Sequence, residues 1–163
     1  MISNTFKVHL EKALKNAQLT NSPIESVNTV SGGSVNRAYQ LQCGKEHFFL
    51  KVNRLDTFPK MFEKEELGLN LLRKSSAIAV PKALLKGEFE DQAYLVLEFV
   101  ETSRPIKNYW ELFGEGLAQL HQNSAQKFGL DYNNYNGSLV QVNDFSSDWT
   151  SFFIENRLME QQR

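Results

Sequence analysis

Apolar side chains recur along the first hundred residues at two spacings, one typical of helices and one typical of strands. Near the N-terminus, Ser3 or Asn4 can cap a helix on which apolar residues return every three or four positions up to Ala17. Short runs rich in β-branched and aromatic residues follow, and turn-forming sequences separate them. This pattern predicts strands over residues 24–30, 35–41, 48–52, 80–85 and 93–100.

The turns between these strands indicate how the strands pair. Residues 31–34 form a glycine-rich turn and residues 43–45 a hairpin turn, so the first three strands should make an antiparallel meander. One helix, which carries Glu65, is inserted between the third and fourth strands. Residues 87–92 read as an acidic turn before the last strand. We therefore expect a five-stranded antiparallel sheet with one core helix.

Beyond residue 100, helical spacing replaces the strand pattern. Residues 109–123 carry an amphipathic apolar stripe, and Asp148 can cap a last helix that contains a tryptophan and two phenylalanines. Residues 128–144 between these helices read as a polar loop. The last helix meets no glycine or proline before Arg163, so we expect the chain to be cut within an element.

Length and composition favour a globular protein and give no sign of a membrane or nucleic-acid-binding protein. The 163 residues are 41% hydrophobic and 23% charged, and we predict an α+β fold with two domains, residues 1–100 and 101–163. The formal net charge of −1 gives no indication of nucleic acid or an anionic membrane as a partner. Neither a signal-peptide pattern nor an apolar stretch of membrane-spanning length occurs, so we expect a cytoplasmic protein. With Cys43 alone there is no intramolecular disulfide, and the three histidines lack metal-ligand spacing.

A lysine inside an apolar strand is the first candidate for chemistry. Burying an unpaired ammonium is costly, so Lys51 needs a partner. On the inserted helix, Glu65 falls in the middle of an apolar stripe formed by Phe62, Leu69 and Leu72. The lysine and the glutamate can satisfy each other, as in a kinase N-terminal lobe, where such a lysine touches the nucleotide phosphates. The alternative is an edge lysine that extends into water.

Two backbone segments flank the lysine strand and offer nucleotide contacts. The turn at Gly32 and Gly33 can present N–H groups to a phosphate, although it matches neither G-x-G-x-x-G nor a Walker motif. An ordinary hairpin turn is the alternative. Residues 98–100 leave the fifth strand where the composition shifts, so they can form a hinge whose backbone N–H and C=O pair with an adenine edge. The alternative there is a strand that ends at a loop.

A series of segments, in order along nearly the whole chain, resembles the fructosamine kinase family. The segments are SGGSVNRAY (31–39), FLKVN (49–53), MFEKE (61–65), LEFV (97–100), GEGLAQLH (114–121), FGL (128–130), QVN (141–143) and DWTSFF (148–153). The resemblance implies a protein-kinase-like fold, related to aminoglycoside and choline kinases, whose N-lobe is followed here by the first helices of a helical C-lobe. It also implies transfer of the ATP γ-phosphate to a sugar hydroxyl of fructosamines or ketosamines on a glycated amine, as in protein deglycation or repair.

The same resemblance implies roles for individual residues. Lys51 would hold the α- and β-phosphates of ATP, and Glu65 would orient that lysine. A phosphate-covering loop would consist of Gly32, Gly33, Ser34, Val35 and Asn36. The hinge would consist of Glu98, Phe99 and Val100.

The catalytic loop of the family is where this chain departs from the resemblance. No His-Gly-Asp segment occurs among the 163 residues. We therefore expect the general base and the Mg²⁺ ligands to lie beyond Arg163, with no catalytic residue and no metal ligand within the chain. Because positioning and charge neutralisation by Mg²⁺ are most of phosphoryl-transfer catalysis, the chain alone should be inactive.

Two other functions stay open from the sequence. One is a kinase of the same fold that acts on another small alcohol, such as an aminoglycoside or choline. The other is a non-catalytic module that binds a nucleotide or a partner. The apolar residues of the last helix would also permit self-association of the chain.

Overall fold

The computed structural model describes residues 2–33 and 35–159, so Met1, Ser34 and residues 160–163 lie outside the described part. The elements in order are α1 (Asn4–Asn16), β1 (Ser26–Val30), β2 (Arg37–Cys43), β3 (Glu46–Arg54), α2 (Met61–Lys74), β4 (Ala83–Phe89), β5 (Gln92–Glu98), α3 (Tyr109–His121), β6 (Asn134–Asn136), β7 (Leu139–Gln141) and α4 (Trp149–Phe153), which continues as a π-helical segment over Ile154–Met159. None of the described helices is long and apolar enough to cross a membrane.

These elements form two compact units. The first contains the described residues up to Phe62 together with Pro81–Ser103. The second contains Glu63–Val80 together with the described residues from Arg104 onward. The predicted division into domains at residue 100 stays a prediction.

The first unit packs helix α1 on a sheet that has the predicted five strands. The strand order is β1-β2-β3-β5-β4, and every neighbouring pair is antiparallel. The predicted meander is therefore confirmed, and β5 lies between β3 and β4. Gly44 makes the two-residue turn between β2 and β3 with φ of 63°, a conformation that glycine adopts without strain.

Helix α1 supplies the second layer of that core. Ser3 caps it as predicted, because its hydroxyl accepts a hydrogen bond from the Phe6 N–H at 3.1 Å. The apolar face of α1 is buried in one cluster with the core side of the sheet; the helix contributes Phe6, Leu10 and Leu14, and the central strands contribute Tyr39, Leu41, Leu50, Val52, Tyr94 and Val96. Side chains alternate along a strand, so the residues between these face away from the core.

The second unit contains most of α2, helices α3 and α4 and a small hairpin. At the centre of its polar contacts is Asn143, which is 1% exposed. The Asn143 amide donates to the Tyr132 carbonyl oxygen at 3.1 Å and to Asn134 Oδ1 at 2.9 Å, and it accepts from Arg157 Nη2 at 2.8 Å. The Arg157 guanidinium lies 4.7 Å from the Phe152 ring centroid, and partial burial lowers the pKa of Arg157. These contacts tie the π-helical segment to the preceding loop.

Several predicted boundaries were wrong for reasons of tertiary pairing. Residues 87–89 belong to β4, because they pair with β5, and only Glu90 and Asp91 form the turn. Residues 128–144 contain the hairpin β6–β7 instead of a continuous loop. The second strand begins at Arg37, so Val35 precedes it. The fourth begins at Ala83.

The apolar stripe of α2 is also shorter than predicted. Phe62 is 4% exposed, Glu65 and Leu69 are half-buried, and Leu72 is 41% exposed. The stripe is therefore buried only at the start of the helix. On the last helix, Trp149 is 52% and Phe153 40% exposed, and self-association of the chain stays a prediction.

Candidate functional site

An open cleft of about 500 Å³ lies on the face of the sheet opposite α1. Its lining combines the residues around the glycine-rich turn with side chains from the first three strands. Ala38 on β2 and Lys51 on β3 are direct partners in the antiparallel register. Phe49 precedes Lys51 by two residues, so both point to the same face. The cleft is therefore lined by the Lys51 ammonium group, the Phe49 ring and the backbone of the glycine-rich turn.

The backbone of the turn is suited to close approach by a ligand. Gly32 has φ of +126° and would have nothing within 4 Å of an added Cβ. A Cβ at Gly33 would lie 3.2 Å from the Asn36 carbonyl oxygen. Gly32 favours glycine because residues with a side chain rarely adopt that φ. Gly33 favours glycine because a Cβ there would crowd the Asn36 carbonyl oxygen. Ser34, the middle of the predicted loop, lies outside the described residues.

Asn36 stands where the turn enters β2, and its amide is incompletely satisfied. The Oδ1 atom of Asn36 is buried and has no hydrogen-bond partner within the described chain. Buried polar atoms are nearly always paired, so an acceptor without a partner in the protein is uncommon and is often found where a water or a ligand binds. This atom lies in the lining of the cleft.

Lys51 is half-buried at the centre of the sheet. Ala38 faces it on β2, and Leu95 faces it on β5. The neighbours Leu50 and Val52 are fully buried on the core side, which leaves the lysine on the cleft side. The edge-strand alternative is excluded, because β3 has a strand on each side. Pairing of Lys51 with Glu65 stays a prediction from the sequence.

The predicted hinge lies at the end of β5. Its Glu98 N–H donates to the Lys82 carbonyl oxygen at 3.0 Å, so that group is engaged within the sheet. Phe99 is half-buried and packs on His47, with ring centroids 5.9 Å apart. Val100 is 66% exposed and leaves the sheet. Of the backbone groups proposed for an adenine edge, the Glu98 N–H is thus already used.

The structure brings together half of the predicted site. The predicted residues that line the cleft are Gly32, Gly33, Val35, Asn36 and Lys51. Glu98, Phe99 and Val100 do not line it, and Glu65 belongs to the second unit. Sequence reasoning missed the apolar wall; it consists of Val30, Ala38 and Phe49. Strand alternation around Lys51 was the signal that could have found it.

The remaining candidate groups from the sequence are possible metal ligands and the single cysteine. Across residues 2–33 and 35–159, no three His, Cys, Asp or Glu side chains cluster in a way that could hold a metal ion. Cys43 is fully buried, and burial together with nearby carboxylates raises the pKa of its thiol to about 11. That thiol is therefore protonated and shielded at neutral pH.

Comparison with known proteins decides the family. The family model described as fructosamine kinase matches residues 7–163, which is almost the entire chain. The chain belongs to the fructosamine kinase family. A protein of Vibrio parahaemolyticus that is named as a probable ketoamine kinase is 38% identical to this chain over 133 residues, which cover 79% of this chain and 45% of the relative.

Solved structures agree with the fold described above. A structure named as a fructosamine-3-kinase from Haemophilus somnus matches with a TM-score of 0.82 at 29% identity, covering 91% of this chain and 50% of that one. Spectinomycin phosphotransferase matches with a TM-score of 0.51 at 19% identity, which bears on the fold alone. The α+β, protein-kinase-like fold class is confirmed. This family member spans about half the length of the curated relatives that it matches.

Proposed function

We propose that this chain is the nucleotide-binding part of an ATP-dependent kinase that phosphorylates a sugar hydroxyl of fructosamines or ketosamines. The observation that carries the proposal is the cleft in which Lys51 and the glycine-rich turn stand together, in a member of the fructosamine kinase family. The relative from Vibrio parahaemolyticus bears the name ketoamine kinase, which supports the same substrate class.

The residues of the cleft fit the phosphates of ATP. The Lys51 ammonium would attract the α- and β-phosphate oxygens, and Gly32 and Gly33 would let the backbone approach them. Bound ATP would supply the γ-phosphoryl group for transfer. Phe49 and Ala38 would form an apolar wall beside the nucleotide. Val100 is exposed where the chain leaves β5, outside the lining of the cleft, and we keep the sequence-based proposal that it packs on the adenine ring.

Glu65 is proposed to orient Lys51 through an ion pair. The order along the sequence, a strand lysine followed by a helix glutamate, supports this role because it is the order of a kinase N-terminal lobe. The general base and the Mg²⁺ ligands are proposed to lie outside these 163 residues. A glycated amine would then be the acceptor for the whole kinase.

Replacement of Lys51 tests the nucleotide role. Titration of ATP into the purified chain should show binding, and Lys51→Met should weaken it about tenfold or more, because a charge-assisted contact is lost. Lys45→Met is the matched control, since Lys45 is an exposed lysine in the β2–β3 turn of the same unit. Equal weakening by both changes, or no ATP binding by the wild-type chain, contradicts the proposal.

A transfer assay tests the part of the proposal that concerns activity. The purified chain, incubated with γ-labelled ATP, Mg²⁺ and a ketosamine of lysine, should give no labelled ketosamine. ATP binding without transfer is the expected combination. Detectable transfer would show that the catalytic groups are present within the 163 residues.

A further inference from the structure

Two buried amide oxygens of the first unit have no hydrogen-bond partner in the described part of the chain. One is Oδ1 of Asn36 and the other is Oδ1 of Asn53. Asn53 is 4% exposed, and its Nδ2 donates to Met61 Sδ at 3.3 Å, so the oxygen end of its amide is the unsatisfied one. A buried acceptor that has left water without gaining a donor costs free energy. Both oxygens therefore need a donor.

The register of β2 and β3 brings the two asparagines together. Arg37 at the start of β2 faces Val52 on β3. One step further along the same register, Asn36 stands opposite Asn53. Residues directly opposite each other on an antiparallel pair have Cβ atoms about 4.5–5.5 Å apart. Asn53 follows Lys51 by two positions, so both asparagines point to the face of the sheet that carries the cleft.

A water molecule matches this pair of oxygens in number and in chemistry. Two acceptors need two donors, and one water carries two O–H groups, whereas a sugar hydroxyl carries one. The phosphates of a nucleotide cannot serve, because their oxygens are themselves acceptors at neutral pH. Buried waters in proteins make about three hydrogen bonds each, to polar groups that would otherwise be unsatisfied. A single water that donates to both oxygens would satisfy the two amides at once.

We propose that Asn36 and Asn53 hold one buried water molecule between them, and that this bridge fixes the end of the glycine-rich turn on β3. Asn36 lines the cleft, and its carbonyl oxygen lies 3.2 Å from the place of a Cβ at Gly33, so it stands against the turn. Asn53 is not part of the lining and acts through the water. Both are positioning residues for the turn. The effect on ATP rests on the proposed function, whereas the water site does not.

Oxygen-17 magnetic relaxation dispersion counts long-lived buried waters and tests the site directly. The wild-type chain should hold one more such water than Asn53→Leu, because leucine offers no acceptor and fills the space of the amide. Asn36→Ala, at a half-buried position, should lose the same water. The double variant should lose one water and not two, since both oxygens share it. An equal count in the wild type and in both single variants, or a loss of two waters in the double variant, overturns the proposal.

Met61→Leu is the matched control. It removes the sulfur that accepts from Asn53 Nδ2 and keeps the Asn53 oxygen, so the water should stay. ATP affinity then measures the positioning role. Asn53→Leu should bind ATP about fivefold more weakly, the size expected for one neutral hydrogen bond, although Asn53 lies outside the cleft lining. Met61→Leu should bind ATP like the wild type. Unchanged ATP affinity in Asn53→Leu, or equal weakening in Met61→Leu, overturns the positioning role.

The water site and the proposed function fail separately in these measurements. A wild-type chain that binds no ATP but holds the extra water overturns the proposed function and the positioning role, while the water site stands. A wild-type chain that binds ATP but holds no more water than Asn53→Leu overturns the water site, while the proposed function stands. That second result would assign the two oxygens to another donor on the cleft face, such as the Lys51 ammonium.

Discussion

Substitution of Gly87 by alanine should destabilise the first unit through a single contact. Gly87 on β4 pairs with Tyr94 on β5, and a Cβ at Gly87 would lie 2.6 Å from Tyr94 Cζ and 3.0 Å from Tyr94 Cε1. The ring has no room to yield, because Tyr94 is 3% exposed and its centroid lies 5.6 Å from those of Phe6 and His9. Its hydroxyl also hydrogen-bonds His9 Nε2 at 3.1 Å.

The expected cost follows from these contacts. Overpacking a core costs about 1–3 kcal/mol, and loss of the bond between Tyr94 and His9 adds about 1 kcal/mol. Removing a glycine from a strand returns about 0.5–1 kcal/mol. The net loss is about 1–3.5 kcal/mol, which corresponds to a fall of about 2–14 °C in Tm for a chain of this size.

Thermal and urea unfolding followed by circular dichroism measure this loss. Gly114→Ala is the control, because Gly114 lies inside α3 with nothing within 4 Å, and alanine there should stabilise by about 0.5–1 kcal/mol. In a Tyr94→Leu background the added methyl meets no ring, so the cost of Gly87→Ala should disappear. A Gly87→Ala chain as stable as the wild type would refute the steric argument.

Two further predictions concern titratable groups. At pH 8 the Cys43 thiol should react with a thiol reagent only after unfolding in urea, because it is buried and its pKa is raised to about 11; rapid labelling of the native chain would contradict this. Asp148 caps α4 through the Ser151 N–H at 2.7 Å, and that bond lowers the pKa of Asp148. A carboxyl group with a lowered pKa stabilises the fold at pH values above its ordinary pKa of 3.8 and loses this effect as pH falls through its folded pKa. The fall in Tm that Asp148→Ala causes should therefore be larger at pH 7 than at pH 2.

Local chemistry explains what could be predicted early. The Ser3 cap, the apolar stripe of α1 and the hairpin turn at Gly44 depend on residues within a few positions of one another. The Asp148 cap is of the same kind. Strand alternation could also have placed Lys51 on the face opposite the core residues, since side chains at successive strand positions point to opposite faces, but this signal was not used.

Features that depend on contacts between distant segments could not be predicted from the sequence. The extension of β4 through Gly87 depends on β5, which pairs with it, and on a glycine that leaves space for Tyr94. The strands β6 and β7 have three residues each, which is too short for an alternation of apolar and polar residues to be detected. The asparagines of this stretch are typical of loops, so the sequence predicted a loop there.

In the candidate site, too, some features follow from the local sequence and others from contacts between distant segments. The sequence by itself determined the lysine strand, the glycine-rich turn and the family, because these are carried by residue type and spacing. Only the tertiary structure decided that Phe49 and Ala38 form the wall of the cleft, and that Asn36 stands opposite Asn53. A sheet pairs residues that are remote in the chain, so the neighbour of a side chain across two strands is fixed by register and not by local sequence.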